Sequence, residues 1–318
     1  MSGSVRRVRR VLTGLILFTL LTSVTAWSQQ SPRMRTRKMS AMTNQEVEDY
    51  LKRNDLVIIP VGPMEMHGLM PLEAEYVESL GWALKMAEKI DAVVLPHFAF
   101  EYPGGTFSGR GTFYLSVLDT GAMLKKVCYS LVRQGFKRIM FVQNHGGADQ
   151  ILYPVIRELY DEMGIPVINT GSIRNAAETK VSEAGGKTDK TFYGLYQIVG
   201  QLEDIPLGVV GTPSPGATQG GAQLSPQAER EARLAALRSG GLAIGSGNIY
   251  TDPSQHSWSP DQPLSAELRA QYAKEGVAQV EAVVKAMDFE PALRIMTQQI
   301  KTYKEVVLPK YGDVVKIK

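Results

Sequence analysis

The stretch "LVIIPVGPMEMHGLMPLEAEY", residues 56–76, begins as an unbroken apolar run. It turns at Gly62 and Pro63, then places Glu65, His67, Glu73 and Glu75 close together. A short continuous apolar run is what a strand buried on both faces presents. Side chains two apart in extended chain share a side, so Glu65 and His67 can converge where the strand runs out. In open α/β folds that carboxyl end of a strand is where ligands bind.

Outward from this stretch, strand-like and helix-like segments alternate. "TNQEVEDYLKRND" has Thr43 and Glu46 at capping-box spacing and predicts a first helix. "YVESLGWALKMAEKI" reads as helix, "DAVVLP" as strand, "SVLDTGAMLKKVCYSLVRQG" as a helix ending at Gly135, and "KRIMFVQ" as strand. "DQILYPVIRELYDEMG" is helix and "IPVINTG" is strand. Such alternation predicts an α/β fold, a parallel sheet with helices on both faces. "FAFEYPGGTFSGRGTFYLS" follows neither period and reads as a long loop, and loops of that length are often functional. "LGVVGTPSPGATQGGAQLSP" and "GSGNIYTDPSQHSWSPDQP" read as two more loops around a helix, "QAEREARLAALRS". A long helix, "SAELRAQYAKEGVAQVEAVVKAM", is expected to close the fold, with a mobile lysine-rich tail after Pro309.

The 318 residues are 44% hydrophobic and 21% charged, with a formal charge of +3, a globular profile with no linker between two self-sufficient halves. Residues 1–28 carry four arginines, an apolar stretch too short to span a bilayer comfortably, and "AWS" before Gln29. They read as a secretory signal peptide, which predicts a periplasmic or secreted protein with no membrane contact after cleavage. Residues 29–42 then form a basic spacer, and 43–318 a single domain. Removing the signal lowers the formal charge to −1, so nothing supports nucleic-acid binding. One cysteine, Cys128, excludes an internal disulfide and sits in a helical pattern as a buried thiol.

A second histidine occupies a place equivalent to His67: "KRIMFVQ" runs into "NHGGADQ", so His145 ends another strand, with two glycines that leave room for a ligand. Glu65, His67, Glu75 and His145 make a nitrogen/oxygen set suited to zinc or manganese. Each alone reads more readily as a solvated turn; their joint placement in consecutive strand/helix units brings the metal site level with that reading.

"PVGPMEMHGLMPLEAE" resembles the creatininase family signature P-x-G-x-x-E-x-H-G-x-x-x-P-x-x-x-D, and "VQNHGGAD" resembles its N-G-H-G-G-N. "GRGTFYLS" is similar to the family's P-G-T-x-x-L-S, and "AKEGVAQVEAVVKAM" to its C-terminal A-E-K-G helix. The resemblance implies a three-layer α/β/α sandwich with a mostly parallel central sheet, assembled as a homo-oligomer, often a hexamer. It implies two divalent ions, Zn or Mn, bridged by an acidic residue and a water. A bridging hydroxide would open a C–N bond of a small cyclic or formyl amide. Glu65, His67 and His145 match family ligands, and Glu75 stands for the bridging aspartate, one residue early.

Other departures bear on the substrate. The family's H-A-G-E-x-E-T-S segment, source of a catalytic histidine and another acid, has "SEAGGKTDKT" as its nearest text. Glu183 then falls at the catalytic position, with Asp149, Glu178 or Asp189 as replacements for the acid. Creatinine is therefore a poor guess for the substrate. Arg110 and His256 are candidate substrate contacts set against solvated loop side chains, and His97 reads as structural. There is no P-loop and no G-x-S-x-G elbow. Two other readings stay open: a non-catalytic periplasmic binding protein that kept the fold, and a hydrolase of a carbohydrate-derived carbonyl compound.

Overall fold

The structure, a computed structural model, describes residues 34–68, 70–96, 99–106, 109–208 and 263–312. Contacts divide the chain into Met1–Arg35 and Thr36–Lys318. The second unit contains the sheet. It begins inside the stretch read as a basic spacer: Lys38 bridges Val94, and the Arg37 guanidinium donates to Asp91 Oδ1 at 3.1 Å and to the Ala92 carbonyl at 2.8 Å.

After α1 (Asn44–Leu51) come β1 (Leu56–Val61), α2 (Ala74–Ile90), β2 (Val93–Val94), α3 (Val117–Gln134) and β3 (Arg138–Gln143). Then follow α4 (Asp149–Met163), β4 (Val167–Asn169), α5 (Gly171–Glu183) and α6 (Thr191–Val199), with α7 (Ala266–Ala286), α8 (Glu290–Thr302) and α9 (Leu308–Tyr311) beyond residue 262. The capping box forms as its spacing predicts: Glu46 N–H donates to Thr43 Oγ1 at 3.2 Å, and Thr43 N–H to Glu46 Oε2 at 2.7 Å. Gly135 ends α3 at a φ of 115°, a conformation glycine adopts without a Cβ penalty.

The strands pair in the order β2-β1-β3-β4, all parallel. Pro60 in central β1 lacks an N–H, yet the sheet tolerates it. Peptide groups alternate sides, and Ile58 presents its carbonyl to Leu95 on the β2 side, so Pro60 would face that side too. There β2 has already ended, and no ladder bond is lost.

Helices cover both faces. Leu56, Ile58, Met140 and Val142 join α2, α6 and α7 in one core through Val77, Met86, Tyr196 and Val280. By strand alternation Val57, Ile59, Ile139 and Phe141 turn to the opposite face, where α3 and α4 pack against each other and bury Leu124, Cys128, Val155 and Leu159. The helix crossing of α6 and α7 needs two glycines. A Cβ on Gly276 would lie 2.0 Å from the Lys190 carbonyl oxygen, and one on Gly194 2.2 Å from the Gly276 carbonyl carbon. That contact explains the glycine of "AKEG".

Three features differ from the sequence reading. Helices α5 and α6 flank "SEAGGKTDKT", whose residues 184–190 form the turn between them, and α7 does not close the fold. The chain continues as helix to Tyr311 and buries Met296 and Tyr303, while Lys310 is exposed on α9. The expected signal segment, the loops and helix within 209–262, His97 and His256 lie outside the described residues. No described helix is long and apolar enough to cross a membrane.

Candidate metal centre

The carboxyl ends of β1 and β3 meet because these strands are neighbours in register, Val61 opposite Gln143. Beyond β1 the chain is held by its neighbours. Met64 N–H donates to the Ala99 carbonyl at 3.0 Å, Glu65 N–H to the Leu72 carbonyl at 2.8 Å, and Phe113 N–H to the Met64 carbonyl at 2.8 Å. Glu65 is fully buried and reaches His67: its Oε1 lies 3.6 Å from His67 Nε2. Thr106 donates its hydroxyl to Glu65 Oε2.

Glu75 enters from α2, which starts at Ala74 rather than at the tyrosine where helical spacing first becomes clear. Gly62 makes this possible. A Cβ there would lie 2.6 Å from Tyr76 N and 2.8 Å from the Glu75 carbonyl carbon, so only a glycine lets α2 start against the end of β1. Ligand atoms of Glu65, Glu75 and His145 all lie within 4.8 Å of one another. Glu75 Oε2 is buried and accepts no hydrogen bond among the described residues.

His145 follows β3, and its N–H donates to Gln143 Oε1 at 2.8 Å. The two glycines behind it have different roles. A Cβ on Gly147 would lie 2.6 Å from His145 Cε1, whereas one on Gly146 would meet nothing within 4 Å. Gly147 thus makes room for the imidazole itself, rather than for a ligand as the sequence suggests. His145 Nδ1 lies 3.1 Å from Oε1 of Glu101, which is buried.

The remaining candidates are not part of this group of three. Asp149 opens α4, and its Oδ1 accepts from Asn169 Nδ2 at 2.8 Å, at the end of β4. Glu183 is exposed at the end of α5, beyond Glu178, which sits 3.7 Å from Arg174 Nε on the same helix. Arg110 is exposed. Asp189 accepts from Gln279 at 2.9 Å but also lines a cavity of about 400 Å³ shared with His67, Glu75, Glu78, Thr188 and Phe192. Another cavity, of about 370 Å³ between α3 and α4, has walls from Leu118, Ala122 and Pro154. It contains none of the clustered ligands, whereas the first is lined by Glu75 and by His67.

The sequence reading passed over Glu78, Glu101 and Thr106. Glu78 was within reach of it, because it follows Glu75 by three residues on a helix and so shares its face. Its Oε2 accepts from Asn144 Nδ2 at 2.8 Å, which links α2 to the residue before His145. Glu101 and Thr106 carry no spacing signal.

Four carboxyl groups, of Glu65, Glu75, Glu78 and Glu101, crowd this region, and burial works against ionising the last three. Burial, then the charges of Glu65, Glu78 and Glu101, push Glu75 well above the usual carboxylate range. Burial pushes Glu78 up to about 7, against the pull of Arg174, and burial raises Glu101 despite its contact with His145. A divalent cation would relieve this repulsion, and carboxylates with imidazoles are donors that Zn²⁺ and Mn²⁺ accept. The buried Oε2 of Glu75, without a hydrogen-bond partner among the described residues, fits the same requirement.

Residues 40–195 match the creatininase family, described as creatinine amidohydrolase. No curated protein sequence matches the chain significantly. Among solved structures, a creatinine amidohydrolase (creatininase) aligns with a TM-score of 0.53 at 18% identity, covering 83% of this chain and 98% of its own. A manganese creatininase gives 0.52 at 18% identity, covering 82% and 98%. A mutant creatininase of the Zn-Zn type gives 0.51 at 18% identity, again covering 82% and 98%. The family match spans the sheet and its ligand-bearing strand ends, and the fold is shared with a creatininase over 83% of this chain, so residues 40–195 are identified as a creatininase-family region.

Proposed function

We propose that this protein is an exported, metal-dependent amidohydrolase that opens a C–N bond of a small cyclic or formyl amide. The observation that carries the reading is the convergence of ligand atoms of Glu65, Glu75 and His145 within 4.8 Å, with one buried Glu75 oxygen left without a hydrogen-bond partner among the described residues. In this reading Glu65, Glu75 and His145 would hold one divalent ion, and His67, 3.6 Å from Glu65 and lining the same cavity as Glu75, would be available to a second. The similarity to a manganese creatininase and to a Zn-Zn type supports Mn or Zn. Bound there, such ions supply Lewis acidity toward a carbonyl oxygen and make water acidic enough to attack near neutral pH.

The chain's own groups do the rest. Glu65 is held by the Thr106 hydroxyl, so its carboxylate keeps one orientation. Glu78 lines the cavity beside His67 and Glu75, and with its value pushed up to about 7 it can hold or release a proton near a departing amine. Phe192, Met70 and Ala74 give the cavity an apolar side that limits water around a small amide.

A homo-oligomer, hexameric in the family's manner, belongs to the same proposal, as does export, which rests on residues 1–28. The test is elemental analysis of protein purified without chelator, with His67→Ala and His145→Ala each expected to lose metal, followed by hydrolysis assays on cyclic and formyl amides. Metal-free wild type would sink the reading. The exposed position of Glu183 favours one rival, a periplasmic binding protein that kept the fold. Tight binding of an unaltered small ligand, with one ion or none, would decide for it.

A further inference from the structure

Glu101 lies outside every family-like motif in this sequence, in the stretch read as a loop. Its side chain is 1% exposed and contacts His145, itself 7% exposed, with 3.1 Å between Glu101 Oε1 and His145 Nδ1. In its ionised form the Glu101 carboxylate only accepts hydrogen bonds, and it then accepts from His145 Nδ1–H and leaves the lone pair on Nε2. Glycines line the ring on its other sides. Gly147 passes under Cε1 so closely that a Cβ would sit 2.6 Å away, and the corresponding position on Gly104 lies 3.9 Å from Nε2. Glu101 is itself anchored. Ala99, two residues before it, pairs with Met64 just beyond β1, and Thr106, five residues after it, donates to Glu65. One short segment thus reaches both strand-end ligands.

We propose that Glu101 is a positioning residue for His145: by accepting the Nδ1–H it selects the tautomer and ring orientation that offer Nε2 to a divalent cation. The proposal rests on the metal reading above. Outer partners of this kind set ligand basicity and orientation, and their loss commonly lowers metal affinity about 10- to 100-fold.

The test uses chelator-treated full-length protein labelled with 15N-histidine. NMR reads the tautomer of His145, assigned with His145→Ala, and calorimetric titration with Mn²⁺ reads affinity and stoichiometry. Wild type is expected to show Nδ1–H. Glu101→Ala is expected to lose that preference and bind Mn²⁺ about 10- to 100-fold more weakly at unchanged stoichiometry. Glu101→Gln, which keeps an acceptor oxygen and the side-chain volume, is expected to fall between them; it serves as the decisive variant should alanine unfold the chain. Mn²⁺ affinity of either variant within twofold of wild type would overturn the proposal, as would an Nε2–H tautomer in wild type. Loss of one ion per chain in both variants would also overturn it, by making Glu101 a ligand. A wild type that takes up no Mn²⁺ refutes the metal reading, and the tautomer spectra then decide by themselves whether Glu101 positions His145.

Discussion

Replacing Glu78 by glutamine should stabilise the metal-free protein, and the gain should appear only as pH rises. The Glu78 carboxyl stands at about 7 against an ordinary 4.5, chiefly because burial disfavours its charge. Below pH 4.5 folded and unfolded states both hold the proton, and the group contributes nothing to the pH dependence. Between 4.5 and about 7 the unfolded chain has released its proton while the folded one retains it, so stability falls as pH rises. Above 7 the loss is complete, about 3 kcal/mol at roughly 1.4 kcal/mol per pH unit. Glu78 is only partly buried as a whole residue, and water in the adjoining cavity screens its charge, so the expected loss is about 1–3 kcal/mol. Glutamine keeps an oxygen to accept from Asn144 and has no proton to lose. Urea denaturation of chelator-treated wild type and Glu78→Gln at pH 4.5, 6 and 7.5 should show the advantage of glutamine growing across the series. Adding Mn²⁺ should shrink it, because a neighbouring cation favours the ionised carboxylate. A difference constant within about 0.5 kcal/mol over that range would refute the reasoning, since it would mean that Glu78 titrates alike in both states.

Other expectations follow from the close approaches at the site. Gly62→Ala sets a Cβ 2.6 Å from backbone at Tyr76 that cannot turn aside, so denaturation should show about 1–3 kcal/mol of destabilisation. Gly147→Ala should displace the His145 ring and weaken Mn²⁺ binding in calorimetry about tenfold or more, whereas Gly146→Ala, with nothing within 4 Å, should bind as wild type does. Cys128 is fully buried and its thiol is pushed up to about 12, so a thiol reagent should label it only after unfolding.

Much of the fold was open to reading along the chain because local signals agreed. The run at 56–61 is buried throughout, as its unbroken apolarity predicts, and Thr43 with Glu46 forms the expected capping box. The same holds for α3, which ends at Gly135. Missed elements had weak periods: α5 has only Ala177 buried among its residues, and α6 is apolar nearly all round because it lies between α2 and α7. A helix buried on most sides shows no face, and therefore no 3.6-residue stripe to find.

At the site, local pattern alone was enough to propose Glu65 with His67, since two-residue spacing at a strand end places both on one side. It also offered Glu75 and His145, each at the border of a strand or helix. Only the parallel pairing of β1 with β3 brings His145 to Glu65. Only the contact of Gly62 with the start of α2 lets Glu75, one position early for an aspartate, reach the same point. Glu101 and Thr106 were invisible for a different reason. Their partners stand 44 and 41 positions away in the chain, and no local period can encode a hydrogen bond made through folding of the whole sheet. Asp149 and Glu183 show the converse: acids well placed in the sequence were carried by their helices to Asn169 and to the surface. Residue type and spacing specify which groups can bind a cation, and the packing of strand ends decides which of them meet.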